Sequence, residues 1–124
     1  MPLILLVDDN VTFRSLLRTL LERAGHEVLE AAEGDEALRL HRRRPADLVL
    51  CDLFMPGKEG LETIQEIRQT SRVPIIAMTG DGPAFAAVLL RTAELLGATR
   101  VLSKPFDTET LLEMMSELWH GPIE

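Results

Sequence analysis

Leu3-Ile4-Leu5-Leu6-Val7-Asp8-Asp9 is five apolar residues with no polar alternation, stopped by two acids. A strand with one face in water alternates apolar and polar positions, whereas an unbroken apolar run of this length is the pattern of a strand covered on both faces. The construction recurs: Leu48-Val49-Leu50-Cys51 stops at Asp52, and Val73 to Met78 stops at Thr79-Gly80. His26 to Ala31 and Thr99 to Leu102 are shorter strand candidates, the second followed by Ser103-Lys104.

Helical spacing fills the intervals. Apolar positions 13, 16, 17, 20, 21 and 24 lead into Gly25, where a helix C-terminus favours glycine. Glu33 to Arg43 reads as a helix stopped by Pro45, and Glu59 to Gln69 places Leu61, Ile64 and Ile67 on one face. Pro83 to Leu96 has proline in its first turn and Gly97 past its end. Asp107 is a suitable N-cap for a last helix carrying Leu111, Leu112, Met115 and Leu118. Five strand–helix pairs with buried strands predict an α/β domain, a parallel sheet with helices on both faces.

Composition narrows the class. The 124 residues are 46% hydrophobic and 27% charged, so residues 1–124 are expected to form one domain with a real core. Thirteen basic against twenty acidic residues give a net charge of −7, which disfavours direct nucleic-acid binding. A single cysteine excludes an intramolecular disulfide and suits a reducing, cytoplasmic compartment. The first residues lack the basic segment of a signal peptide, and no apolar stretch is long enough to span a membrane. Cys51 reads as a small core hydrophobe, Arg42, Arg43 and Arg44 as a solvated helix end, and Trp119 as packing on the last helix. His26, His41 and His120 share no metal-ligand spacing and read as surface or strand-edge residues.

The residues that stop the strands carry the chemistry. In an open parallel sheet the C-terminal strand ends share one edge, where ligands bind. Asp8, Asp9, Asp52, Thr79 and Lys104 are therefore expected to converge although far apart in the chain. Each alone has an ordinary role as a helix cap, turn residue or surface lysine; the joint pattern does not. Three carboxylates in one crevice repel, and a hard divalent cation relieves them; oxygen-only ligands suit Mg²⁺. Cation, ammonium and hydroxyl together form a cradle for a phosphoryl group, with Asp52, the single acid ending a central strand, as the nucleophile.

Leu6-Val7-Asp8-Asp9-Asn10, Asp52-Leu53-Phe54-Met55-Pro56 with Gly60, Met78-Thr79-Gly80 and Lys104-Pro105-Phe106 together resemble the receiver domain of two-component response regulators, of the chemotaxis-regulator kind. The resemblance covers nearly the whole chain, with gaps of 43, 27 and 25 residues between Asp9, Asp52, Thr79 and Lys104. It implies a flavodoxin-like, doubly wound five-stranded parallel sheet of order 2-1-3-4-5 with five helices. It implies Asp52 as phosphoacceptor, with Asp52, Thr79 and Lys104 as the catalytic set. Mg²⁺ would be bound by Asp9, Asp52 and the Phe54 backbone carbonyl, and by Asp8 through water. Thr79 would turn its hydroxyl to the phosphoryl group, Gly80 would leave room for it, and the Lys104-Pro105 peptide would be cis. The implied partners are a sensor histidine kinase or phosphotransfer protein, a downstream protein target, and a second copy of the chain on phosphorylation. No membrane and no direct nucleic-acid contact is expected.

The chain departs from the family where an aromatic usually precedes the lysine by three residues; Val101 stands there, so the switch pairing Thr79 with position 101 is altered. Phe54 and Asp81, each two residues past a site residue, are expected to tune dephosphorylation, the bulky Phe54 slowing it. The expected function is a stand-alone, non-enzymatic phosphoacceptor that catalyses only its own phosphorylation and dephosphorylation. It would switch protein contacts through the fourth helix, fifth strand and fifth helix. One alternative is a receiver from a hybrid kinase or multidomain regulator. Another, of a different class, is a metal-dependent phosphohydrolase-like α/β protein, which needs a second carboxylate where Phe54 stands. A flavin or nucleotide binder would need a phosphate loop where Asp8-Asp9-Asn10 stands.

Overall fold

The apolar runs form the three central strands of a five-stranded parallel sheet. The computed structural model describes residues 1–53, 60–80 and 83–119. In chain order the elements are β1 (Leu3–Val7), α1 (Val11–Arg23), β2 (Glu27–Ala31), α2 (Gly34–Arg43), β3 (Leu48–Asp52), α3 (Gly60–Thr70), β4 (Ile75–Thr79), α4 (Pro83–Leu96), β5 (Arg100–Ser103) and α5 (Thr108–Trp119). The strand order is β2-β1-β3-β4-β5, all parallel, as expected of the doubly wound fold. β1, β3 and β4 are buried along their whole length, while β2 and β5 at the edges are only partly buried.

Two-residue periodicity sorts the core into two layers. Leu3, Leu5, Val7, Val49, Cys51, Ile75 and Ala77 pack with Ala37 and Leu38 of α2, Ile64 and Ile67 of α3, and Ala93 of α4. Ile4, Leu6, Leu48, Leu50, Ile76, Met78 and Leu102 pack with Leu17 and Leu21 of α1 and Leu111 and Met115 of α5. Cys51 is a fully buried member of the first layer; burial pushes its thiol well up, and the charges of Asp52 and Asp8 push it further.

Local chemistry sets the element ends. Asn10 caps α1, its Oδ1 accepting the Phe13 N–H at 3.0 Å, and Asp107 caps α5 by accepting the Thr110 N–H at 2.7 Å. β4 begins at Ile75, two residues after the apolar run does: Pro74 has no N–H to give the ladder, and its carbonyl accepts from Val49. β5 is displaced by one residue from the expected span and includes Ser103. Arg68 of α3 donates to the Gly97 carbonyl at 2.8 Å, the Ser71 carbonyl at 3.2 Å and Thr99 Oγ1 at 3.2 Å, tying the ends of α3 and α4 to the start of β5.

One histidine departs from the sequence reading. His41 is buried rather than at the surface: it continues the α2 stripe of Gly34, Ala37 and Leu38 into the core. Its Nδ1 accepts the Ala46 N–H at 3.1 Å, and its Nε2 lies 3.2 Å from Ser71 Oγ, so the one polar group on that stripe is satisfied inside. His26 is half-buried with its ring 5.2 Å from that of Trp119, which packs on the α1/α5 layer as expected. Arg42, Arg43 and Arg44 are exposed, as a solvated helix end requires. His120 lies outside the described residues.

Candidate functional site: an acidic cluster with a lysine counter-ion

Parallel register brings the strand-stopping residues to one edge. Val7 pairs with Cys51, Asp52 with Met78, and Thr79 with Ser103, so Asp8, Asp52, Thr79 and Lys104 leave the sheet together. Asp8 and Asp52 continue the even-numbered series Ile4, Leu6, Leu48, Leu50 toward the α1/α5 side. Carboxylate oxygens of Asp8, Asp9 and Asp52 lie within 4.8 Å of one another, Asp8 and Asp52 buried and Asp9 exposed. This all-oxygen set fits a hard divalent cation such as Mg²⁺.

A positive charge is already among these acids. Lys104 Nζ is 2.8 Å from Asp8 Oδ2 and 3.6 Å from Asp52 Oδ1, which answers the repulsion that three carboxylates alone would suffer. The closer partner is Asp8, not Asp52. Asp8 is fully buried, and its Oδ1 accepts the Asn10 N–H at 2.9 Å, so the acid is held from two sides. Lys104 is held in turn by its backbone N–H, which donates to the Thr79 carbonyl at 2.6 Å; the Lys104–Pro105 peptide is cis, as the resemblance implies.

Glycine shapes the back of the site. A Cβ on Gly60 would lie 2.1 Å from the Asp52 carbonyl oxygen and 2.6 Å from Leu53 Cα, so only glycine lets α3 start against the end of β3. At Gly80 a Cβ would meet only Lys104 Cδ, at 3.8 Å, an ordinary contact. Thr79 is fully buried at the end of β4. Val101 is half-buried and lines a groove of about 610 Å³ with Ala87, Arg91, Glu94 and Leu95, between α4 and β5. Phe54 and Asp81 lie outside the described residues.

Two contributors were not singled out from the sequence. Arg14 donates to the Asp8 backbone carbonyl at 2.7 Å and pairs with Glu30 at 2.8 Å, anchoring the β1–α1 turn to the edge strand. Phe13 faces the Lys104 ammonium, its ring centroid 4.1 Å from Nζ. The helical stripe beginning at Phe13 marked it as core-facing; nothing in the spacing joins it to a residue 91 positions later.

Comparison with known proteins places the chain in a family. Residues 4–116 match the family model described as the response regulator receiver domain. The chain is 42% identical over 109 residues to the transcriptional regulatory protein CpxR of Klebsiella pneumoniae, covering 88% of this chain and 45% of that protein. It is 43% identical over 109 residues to the uncharacterized transcriptional regulatory protein YrkP of Bacillus subtilis, covering 87% of this chain and 45% of that one. The chain thus spans less than half the length of these relatives. Among solved structures, the chemotaxis protein CheY4 of Vibrio cholerae superposes with a TM-score of 0.84 at 32% identity, covering 94% of this chain and 98% of that one. The receiver domain of NtrX from Brucella abortus gives the same values.

Proposed function

The chain belongs to the response regulator receiver family of two-component signalling, and from that premise we propose that Asp52 is its phosphoacceptor, serving a sensor histidine kinase or phosphotransfer protein. The observation that carries this reading is the Asp8–Asp9–Asp52 cluster within 4.8 Å, with the Lys104 ammonium 2.8 Å from Asp8 and 3.6 Å from Asp52. An Asp52 carboxylate oxygen attacks the phosphorus of a phosphohistidine, the P–N bond breaks with its electron pair going to the imidazole, and an acyl phosphate forms. Asp9 and Asp52, with Asp8 behind them, would hold Mg²⁺, joined by the backbone carbonyl that the family resemblance assigns to Phe54. Bound there, Mg²⁺ offsets the negative charge of the transferring oxygens. Lys104 pairs with the phosphoryl group from the opposite side, and Thr79 gives it a hydroxyl donor. Water later attacks the acyl phosphate and returns the Asp52 carboxylate. The chain thereby catalyses only its own modification and is not an enzyme of external metabolites.

The output runs through protein contacts on the α4–β5–α5 face, where Val101 leaves the groove beside Arg91 and Leu95. The chain acts there alone or joined to an effector, and phosphorylation brings a second copy or a target protein to it. The net charge of −7 argues that this domain does not itself grip nucleic acid; the naming of its relatives as transcriptional regulators concerns proteins about twice as long. No described helix is long and apolar enough to cross a membrane, and a cytoplasmic location suits a partner of kinase phosphohistidines. Phosphotransfer profiling against the histidine kinases of the host tests the proposal. Label is expected on the wild type and absent from Asp52→Ala; equal labelling of both would overturn it.

A further inference from the structure

Of the three groups described around Lys104 Nζ, two are the carboxylates of Asp8 and Asp52 and the third is the face of the Phe13 ring, at 4.1 Å from its centroid. An ammonium at that distance over an aromatic face is attracted by the ring's negative quadrupole. The ring is itself held. The Phe13 backbone N–H is bound by the Asn10 cap at 3.0 Å, and Phe106 meets the ring edge-on, centroids 6.0 Å apart and planes at 89°. Phe106 follows Lys104 by two residues, so the segment that supplies the ammonium also braces the platform it rests on. Phe13 is only half-buried, which is a poor use of a large aromatic if packing were its whole role.

We propose that Phe13 is a positioning residue whose ring face holds the Lys104 ammonium above the Asp8–Asp52 pair, fixing where a transferred phosphoryl group finds its cation. This rests on the reading of Asp52 as phosphoacceptor. Lysine is a compact charge on a flexible stem, and its carboxylate contacts are the ones that change when a cation or a phosphoryl group enters the cluster. The ring alone among the three neighbours carries no formal charge, so it keeps its hold without competing for either. Loss of the ring lets the ammonium follow whichever anion is nearest, and the cost falls on phosphorylation rather than on folding.

The test replaces Phe13 by Leu, by Tyr, and by phenylalanines of increasing ring fluorination, which weaken the quadrupole at nearly constant size. Phosphorylation by phosphoramidate with Mg²⁺, melting temperature and the Lys104 Hε proton shifts are read for each. Phe13→Leu is expected to slow phosphorylation about threefold to thirtyfold, the rate equivalent of an ordinary cation–π contact. Phe13→Tyr should stay within about twofold of wild type. The fluorinated series should slow in step with fluorine number at unchanged melting temperature, and should be flat in a Lys104→Met background. Hε protons should lie upfield in the wild type and move downfield in Phe13→Leu. A flat series in the native background, or a loss that follows melting temperature instead of fluorination, overturns the inference while leaving Asp52 as phosphoacceptor. A wild type that takes no phosphoryl group at all overturns the phosphoacceptor reading, and the Hε shifts then decide separately whether the ring holds the ammonium.

Discussion

Replacing Lys104 with methionine keeps the length of the stem and removes the charge. Asp8, fully buried, then loses its 2.8 Å partner while the carboxylates of Asp9 and Asp52 remain within 4.8 Å. At 2.8 Å and an effective dielectric near 20, the Lys104–Asp8 attraction is about 6 kcal/mol before desolvation. Removing one partner of a fully buried pair costs about 3–5 kcal/mol net. The Lys104 side chain is 19% exposed, so water screens part of that, and a loss of about 2–3 kcal/mol is expected. For a domain of 124 residues this lowers the melting temperature by roughly 8–12 °C. The assay is thermal unfolding in chelator-treated buffer, repeated with excess Mg²⁺. A cation that binds the native cluster stabilises by mass action, and it binds more tightly where no ammonium competes. The variant should therefore gain more from Mg²⁺ than the wild type does and recover much of the deficit. Equal melting temperatures without metal, or equal gains on adding it, would refute the view that Lys104 is the resting counter-ion of the three acids.

Gly60→Ala should cost about 3 kcal/mol in urea unfolding, because the new methyl must displace backbone at 2.1 Å from the Asp52 carbonyl rather than a flexible side chain; wild-type stability would mean that α3 can retreat freely. Burial holds the His41 imidazole below its usual 6.5, so the unfolded chain binds more protons there and stability rises with pH. The His41 contribution is complete above pH 6.5 and is lost as pH falls, so wild-type stability should drop more steeply between neutral and mildly acid pH than that of His41→Gln. Phe54→Asn should speed the decay of radiolabelled acyl phosphate, since an amide can hydrogen-bond attacking water where a phenyl ring shields it; an unchanged rate would remove Phe54 from control of lifetime. A phosphoryl mimic should shift the backbone signals of residues 80–100 despite valine at position 101, and their staying fixed would mean that Thr79 does not drive the α4–β5 face.

Much of this molecule was legible in the chain itself. Apolar runs at Leu3–Val7, Leu48–Cys51 and Val73–Met78 specify buried parallel strands, because a strand covered on both faces has no position at which a polar side chain reaches water. The meeting of Asp8, Asp9, Asp52, Thr79 and Lys104 followed from the same fact: parallel strands end on one edge, and the hydrogen-bond ladder holds their register residue by residue. Strand ends were less legible where one residue altered the ladder, as Pro74 does at the start of β4. His41 could have been placed inside by the stripe it continues with Ala37 and Leu38, but its type suggested surface, and only the Ala46 N–H and Ser71 hydroxyl make the interior affordable.

What tertiary structure alone decided lies within a few ångströms of those strand ends. That Lys104 sits nearer Asp8 than Asp52, that Phe13 lies under its ammonium, and that Gly60 is required by the Asp52 carbonyl all depend on how helices cross the sheet and which rotamers then fit. Sequence periodicity says which face of a helix turns inward. It does not say which residue of a distant loop that face will meet, because that choice is made by three-dimensional packing between segments with no repeat in common.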